Sequence, residues 1–484
     1  MKQLKYITLF ISLLIVTACN KEFISYDNIN RPAKIHPEYT GTYIPYNIAP
    51  LNFQIDEDAD QYLIRFVTSK DSFEIKRKKN TNIPLRKWKS LLEKSRGEDL
   101  FVKIFALENG TWKNFEDMRF FIPEEAIDPY VAYRLIEPGY ETWGKMGIYQ
   151  RCLENFNESP ILTNTLTDNN CMNCHSFHNN DPETMLFHLR ANLAGTIFVK
   201  DGKIRKLATQ APWMISAGVY PRWHPSGNYV AFSTNNTEQS FLASHANKVE
   251  VFDTASDIVL YDVQHNRMST DNSLHSAVRF ETFPEWSPDG RFLYFCSAPA
   301  AQLTDGDHSI KYDLVRVGFN PETGNFTNRT DTIISARETG KSVSFARISP
   351  DGKYLVFCLT DYGTFPIWHR ENDLHMLDLE TGDVNPMAEV NSEDSDSYHS
   401  WSSNGRWMMF GSRRIDGSYT RLFITYFDTN GQWHKPFLMP QKNPEYYDYL
   451  LKSYNIPEFI TGKVRTSPQK LAKVARKTAI ELNP

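Results

Sequence analysis

The chain has 484 residues and a formal net charge of −5 at pH 7, so no global basic field exists to draw in nucleic acid. Hydrophobic residues at 41%, charged residues at 23%, and only 23 Gly and 26 Pro exclude a wholly disordered or collagen-like chain. At roughly 100–200 residues per domain the length suits two or three domains, and an aromatic content of 13% favours strands.

At the N-terminus, Lys2 and Lys5 precede an apolar run from Tyr6 to Val16 that is too short to span a bilayer. The run ends in Val16-Thr17-Ala18-Cys19, which resembles the lipobox of bacterial lipoproteins. That resemblance implies that residues 1–19 act as a lipoprotein signal peptide and that Cys19 becomes the acylated mature N-terminus. The alternative is an ordinary signal peptide with an incidental cysteine. Asn20 in place of Asp implies transfer to the outer membrane rather than retention at the inner one. No other segment has 18 consecutive apolar residues, so the expected protein is anchored rather than spanning. Residues 20–44, with Pro32 and Pro37, read as a tether. Residues 45–125 alternate apolar and polar positions around a short amphipathic helix near Leu85 to Leu92. They are expected to form an Ig- or fibronectin-like β-sandwich.

Four later segments share one pattern: YPRWHPSGNYVAFS from Tyr220, FPEWSPDGRFLYFC from Phe283, FARISPDGKYLVFC from Phe345 and YHSWSSNGRWMMFG from Tyr398. Each S-P-D-G-like tetrapeptide supplies a tight hairpin, and a second hairpin follows each copy, so every repeat predicts a four-stranded antiparallel sheet. The repeats resemble those of the TolB-like β-propeller family across about residues 215 to 441. Their spacing exceeds the about 40–45 residues of a minimal blade, which places long loops between second and third strands. Upstream, VAYRLIEPGYETWGKMGIYQRCL from Val131 reads as the first two strands of a blade and GTIFVKDGKIRKLAT from Gly195 as its third and fourth. A mainly β fold results: a sandwich, then a propeller of five or six blades over residues 126–441, the sixth requiring a terminal strand to close the ring. Residues 442–484 form a C-terminal tail whose basic helix, with Lys470, Lys473, Arg476 and Lys477 beside Leu471, Val474 and Ile480, either packs on the domain or meets anionic lipid.

The chemistry-bearing motif is Cys171-Met172-Asn173-Cys174-His175, or C-x-x-C-H, the attachment pattern of a c-type haem. Two thiols bind the vinyl groups and the imidazole ligates iron. A chain with 6 Cys and 13 His would show about 0.002 such pentads by chance. A Cys171–Cys174 disulfide is the open alternative. A thioredoxin-like pair lacks its βαβ context, and a zinc site lacks a second C-x-x-C. Residues 150–195, polar and loop-like, read as an insertion that encloses one covalent haem c. His188 or Met185 is the expected sixth iron ligand, and plain packing is the competing role for both; His178, Met214 and His224 are remoter. Cys296 and Cys358, at equivalent repeat positions, read as small buried apolar side chains.

Hydrolase signals are poor: G-x-S-x-G and H-E-x-x-H are absent from the sequence, and Ser467-Pro468-Gln469-Lys470 stands alone. No catalytic residue is assigned. Acidic clusters at Asp56 to Asp60, Asp305 to Asp307 and Glu393 to Asp396 lack EF-hand order and read as solvated loops. The expected protein is therefore a lipid-anchored envelope haem protein on the periplasmic face or the cell surface. It would serve electron transfer or redox-linked partner binding. The alternatives are a haem-free propeller scaffold that binds protein or glycan, and a haem-dependent oxidoreductase.

Overall fold

Each S-P-D-G-like tetrapeptide closes its turn in one way. In the copy from Phe283, Gly290 N–H donates to the Ser287 carbonyl (2.8 Å), and the Ser287 hydroxyl donates to Asp289 (2.6 Å) while accepting from Phe292 N–H (3.0 Å). The turn hands the chain from an inner strand to its antiparallel neighbour, and six sheets of four strands result. The computed structural model describes residues 26–137, 145–242, 247–300 and 309–483. The lipobox with Cys19 and the acidic run Asp305 to Asp307 lie outside the described residues.

In blade order the inner strands are Ser453–Ile460, Met172–Phe177, Val219–Trp223, Arg279–Trp286, Ser342–Ile348 and Asp396–Trp401. Each touches the next and the last touches the first, so the sheets form a closed, propeller-like ring. Blade 1 joins the two ends of the ring, because the C-terminal strand Ser453–Ile460 pairs with Tyr130–Ile136, followed by Gly147–Cys152 and Glu158–Thr163. Indoles stitch neighbouring blades together. Trp223 donates to the Ser176 carbonyl (3.4 Å), Trp286 to Arg222 (3.2 Å) and Trp401 to Arg347 (3.3 Å). Blades 1, 2 and 5 carry Phe459, Phe177 and Ile348 at the equivalent place and lack this bond.

Three segments differ from the expectations. Residues 150–195 are not a loop insertion: they contain two outer strands of blade 1 and the first two strands of blade 2, Met172–Phe177 and Met185–Leu189. The run from Val131 and the run from Gly195 therefore belong to different blades, because the terminal strand and not a local one completes the first sheet. Residues from Tyr26 onward are built into the N-terminal domain rather than tethering it: Tyr26–Pro32 pairs in parallel with Thr111–Glu116, and Tyr39 and Ile44 are fully buried. That domain is one six-stranded sheet with a two-residue ribbon, Ile35–His36 against Gln54–Ile55. Among the described residues no second large sheet faces it. Helix Leu85–Lys94 takes part of that role, burying Trp88, Leu91 and Leu92, with Trp88 edge-on to Phe66 at 5.9 Å.

The domain docks on blade 6. Asp128 accepts from the Ser403 amide (2.7 Å) and hydroxyl (2.6 Å), Tyr426 donates to Glu125 (2.8 Å), and Tyr43 stacks on His434 (3.7 Å). The C-terminal helix Pro468–Ala475 packs on blades 1 and 2 through buried Leu471, Ala472 and Ala475, and Lys206 donates to the Ala475 carbonyl (2.9 Å). Glu250 on the long hairpin of blade 3 is clasped by blade 5. It accepts from His369 Nε2 (2.9 Å) and the Tyr362 hydroxyl (2.7 Å). Among the described residues no helix is long and apolar enough to cross a membrane.

Candidate functional site

Every inner strand carries a β-bulge at the same register, and the bulged residue has a positive φ: Cys174, Tyr220, Phe283, Phe345, Tyr398 and Ile456. The conformation costs about 1–3 kcal/mol at each non-glycine residue. Contacts around the axis offset it, since Tyr220, Phe283, Phe345 and Tyr398 follow one another with ring centroids 4.6 Å apart. Cys174 takes an aromatic place in this layer. The C-x-x-C-H pentad thus lies where blade 2 meets the axis, on a strand and not on a helix.

The two cysteines differ in access. Cys171 is partly exposed at the strand entrance, whereas Cys174 is 2% exposed, and both thiols are free. Burial pushes the Cys174 thiol up, against the opposing charges of Arg190 and Arg134. His175 is 3% exposed, and both ring nitrogens lack a hydrogen bond of ordinary geometry, although the Ile456 backbone lies near the ring. Its counterpart in blade 6, His399, donates from Nε2 to the Val356 carbonyl of the preceding blade at 2.8 Å. Burial, followed by the charges of Arg134 and Arg222, lowers His175 to about 3, so the ring is neutral and its lone pair is available. A buried polar group without a partner costs about 1–3 kcal/mol. By residue type, Cys171 and Cys174 would form the thioethers of a covalent haem and His175 its proximal ligand, with Cys174 and His175 closed off from solvent.

The expected sixth ligands sit in the strand beside the motif. His188 pairs with Asn173 and Met185 with Phe177. His188 is 5% exposed and shares a 3.2 Å contact with Thr196; burial, then Arg190, lowers it to about 4. Met185 packs with Met172, Phe187 and Leu189. The chain between His175 and Met185 is a hairpin, not a loop around a cofactor edge. His178 bonds the Pro225 carbonyl (2.9 Å), His224 sits between blades 3 and 4, and Met214 packs against blade 3. Cys296 and Cys358 are free and fully buried. Among the described residues no three His, Cys, Asp or Glu side chains converge as a metal site.

Next to the layer of bulged residues, which contributes Tyr398 and Ile456 to its wall, lies a cavity of about 400 Å³ lined by residues two places after each bulge: Ser176, Arg222, Glu285, Arg347, Ser400 and Glu458. Glu285 accepts from Arg222 (3.0 Å) and Arg347 (3.4 Å). One Glu458 oxygen accepts from Phe177 N–H (2.9 Å) and the other has no partner. Burial raises both carboxyls to about 7, against the Arg222 charge. The repeat strings carried this signal, because their motifs YPRW, FPEW, FARI and YHSW change charge only at this position. Arg134 and Arg190, beside the cysteines, have no such signature.

No protein-family profile matches the chain, and no curated protein matches it. Solved structures with a similar arrangement include a puromycin-hydrolyzing peptidase from Mycobacterium tuberculosis, at 12% identity and a TM-score of 0.36 over 71% of this chain and 52% of that one. The chain thus spans about half the length of that protein. A periplasmic gluconolactonase from Pseudomonas aeruginosa matches at 12% identity and a TM-score of 0.34 over 65% of this chain and 97% of that one. An oligogalacturonate lyase in complex with manganese matches at 13% identity and a TM-score of 0.30 over 77% and 98%.

Proposed function

We propose that this chain is a lipid-anchored envelope protein of TolB-like type whose propeller carries one covalent haem c at Cys171, Cys174 and His175 and serves electron transfer or redox-linked partner binding. One observation supports it most: the pentad combines two free thiols with a buried, neutral imidazole that lacks the interblade carbonyl bond made by the equivalent His399. A bound haem supplies one-electron chemistry, and the residues of this chain fix its place on the ring. The sheet of the N-terminal domain begins at Tyr26, so an anchor at Cys19 would hold that domain within about 25 Å of the membrane surface. The reading is tested by the intact mass and visible spectrum of protein made in a host with cytochrome c maturation. A covalent haem adduct that Cys171→Ser, Cys174→Ser or His175→Ala each reduces supports it, and wild-type protein without the adduct overturns it.

A second reading, a haem-free scaffold that binds protein or glycan, draws on the axial cavity. There Glu285 lies between Arg222 and Arg347, and an unpartnered Glu458 oxygen remains for a ligand. Protein without haem that loses partner capture on Arg347→Ala supports this alternative.

A further inference from the structure

Going round the axis from blade 1 to blade 6, the cavity presents Glu458, Ser176, Arg222, Glu285, Arg347 and Ser400. Its two halves therefore differ in charge. Blades 3, 4 and 5 contribute two guanidinium groups and one carboxylate, whereas blades 6, 1 and 2 contribute one carboxylate between two hydroxyls. The arginine half has donors to spare. Arg222 meets Glu285 through Nε (3.0 Å), and Arg347 meets it through Nη1 (3.4 Å), which also donates to the Ala346 carbonyl (2.6 Å). No described hydrogen bond or ion pair uses Nη1 or Nη2 of Arg222, or Nε or Nη2 of Arg347. The opposite half has acceptors to spare. Glu458 Oε1 accepts from Phe177 N–H (2.9 Å), and its buried Oε2 has no partner. His399, 3% exposed and also in the lining, donates from Nε2 to the Val356 carbonyl (2.8 Å). Its other nitrogen, Nδ1, therefore keeps a lone pair, and that buried atom has no partner either. A buried acceptor left unmet costs free energy that a bound donor recovers. The cavity reaches solvent at the turn end of the strands, where exposed Asn179, Pro288, Pro350 and Ser403 line it, and its volume of about 400 Å³ suits a small molecule.

We infer that the axial cavity binds a small zwitterion of the amino-acid class, its carboxylate on the free N–H groups of Arg222 and Arg347 and its ammonium on Glu458. A planar guanidinium receives a carboxylate through two parallel bonds, and an ammonium carries three donors for the unmet acceptors. A simple anion would leave Glu458 and His399 unmet, and a simple cation would leave the guanidinium donors unmet. The inference goes beyond the haem reading and does not depend on it, because none of these residues belongs to the C-x-x-C-H pentad.

The test is calorimetric titration of the full chain, in mildly alkaline buffer that ionises both carboxyls, with glycine, L-alanine and γ-aminobutyrate. Propionate and propylamine, which carry one charge each, are the comparison ligands. At least one zwitterion should bind about tenfold or more tightly than either of them, and Arg347→Gln and Glu458→Gln should each weaken it by about tenfold or more. Glu458→Gln removes the charge while keeping an oxygen for Phe177 N–H. Propionate that binds as tightly as the zwitterions, with no response to Glu458→Gln, would show an anion site only and overturn the inference. Propylamine that binds as tightly, with no response to Arg347→Gln, overturns it in the other direction, as does the absence of saturable binding by all three zwitterions. If Glu458→Gln fails to fold, the ranking of the five ligands on wild type and on Arg347→Gln decides the matter. Failure here leaves the haem reading standing, and protein without a covalent adduct leaves this inference standing, because one is read by heat and the other by mass.

Discussion

Gly290 and Gly352 occupy the same turn position in consecutive repeats, at φ +70 and +74, yet they should respond differently to one added methyl group. A Cβ at Gly290 would lie 2.4 Å from Nε2 and 2.6 Å from Cε1 of His224, whereas at Gly352 the nearest atoms are those of the Pro288 ring, 3.9 Å away. His224 cannot step aside cheaply. It is 2% exposed, contacts Ser226 through Nδ1 (2.8 Å), donates to the Gly290 carbonyl through Nε2 (3.0 Å), and rests against Trp286 at 4.8 Å. Both alanine substitutions bear the left-handed backbone cost of about 1–2 kcal/mol. Gly290→Ala adds an overpacking cost of about 1–3 kcal/mol. Equilibrium urea unfolding should therefore place Gly290→Ala below Gly352→Ala by at least about 1 kcal/mol. In the His224→Ala background the excess should vanish as a coupling energy between contacting residues. Equal losses in the two glycine variants, or an excess that survives His224→Ala, would refute the account of how blades 3 and 4 lock.

Three further outcomes follow from the structure. Burial lowers His369, but hydrogen bonds that it donates to Glu250 and Glu371 outweigh it and raise the group to about 9. Its contribution is complete below the ordinary histidine value near 6.5 and is lost as pH rises through about 9. The unfolding midpoint of wild type should thus fall faster across that window than that of His369→Gln, and parallel profiles would count against the clasp. Leu471→Ala removes a fully buried side chain from the terminal helix and should cost about 2–5 kcal/mol, read by denaturant unfolding; a loss below about 0.5 kcal/mol would show the helix detached. Cys19→Ser should release the protein from membranes, and a variant that still fractionates with membranes in high salt contradicts the anchor.

What the sequence determined by itself was whatever repeats locally. The S-P-D-G-like turns and the alternation beside them are short-range patterns, and they located four blades directly. In blade 3, by contrast, the length expected as a loop between second and third strands is a long hairpin, Tyr229–Phe241 against Val249–Asp262. The helix at Leu85–Lys94 was legible for the same reason, since its apolar spacing is local. Tertiary structure decided what depends on partners distant in the chain. Ser453–Ile460 finds Tyr130–Ile136 across more than 300 residues, a pairing that no window of sequence displays, and it reassigned the runs around Val131 and Gly195 to different blades. The polar stretch around Cys171 looked like a loop because its side chains are small and hydrophilic. It is a strand because the bulge register of five other blades and the packing of Met172 and Phe177 impose one. Residue types marked Cys171, Cys174 and His175 as chemical, but only the fold showed that His175 lacks the bond its counterpart makes and that Arg134 and Arg190 converge beside the cysteines. Burial and unpaired charge are properties of the space a side chain shares with distant segments, and they exist only once the ring has closed.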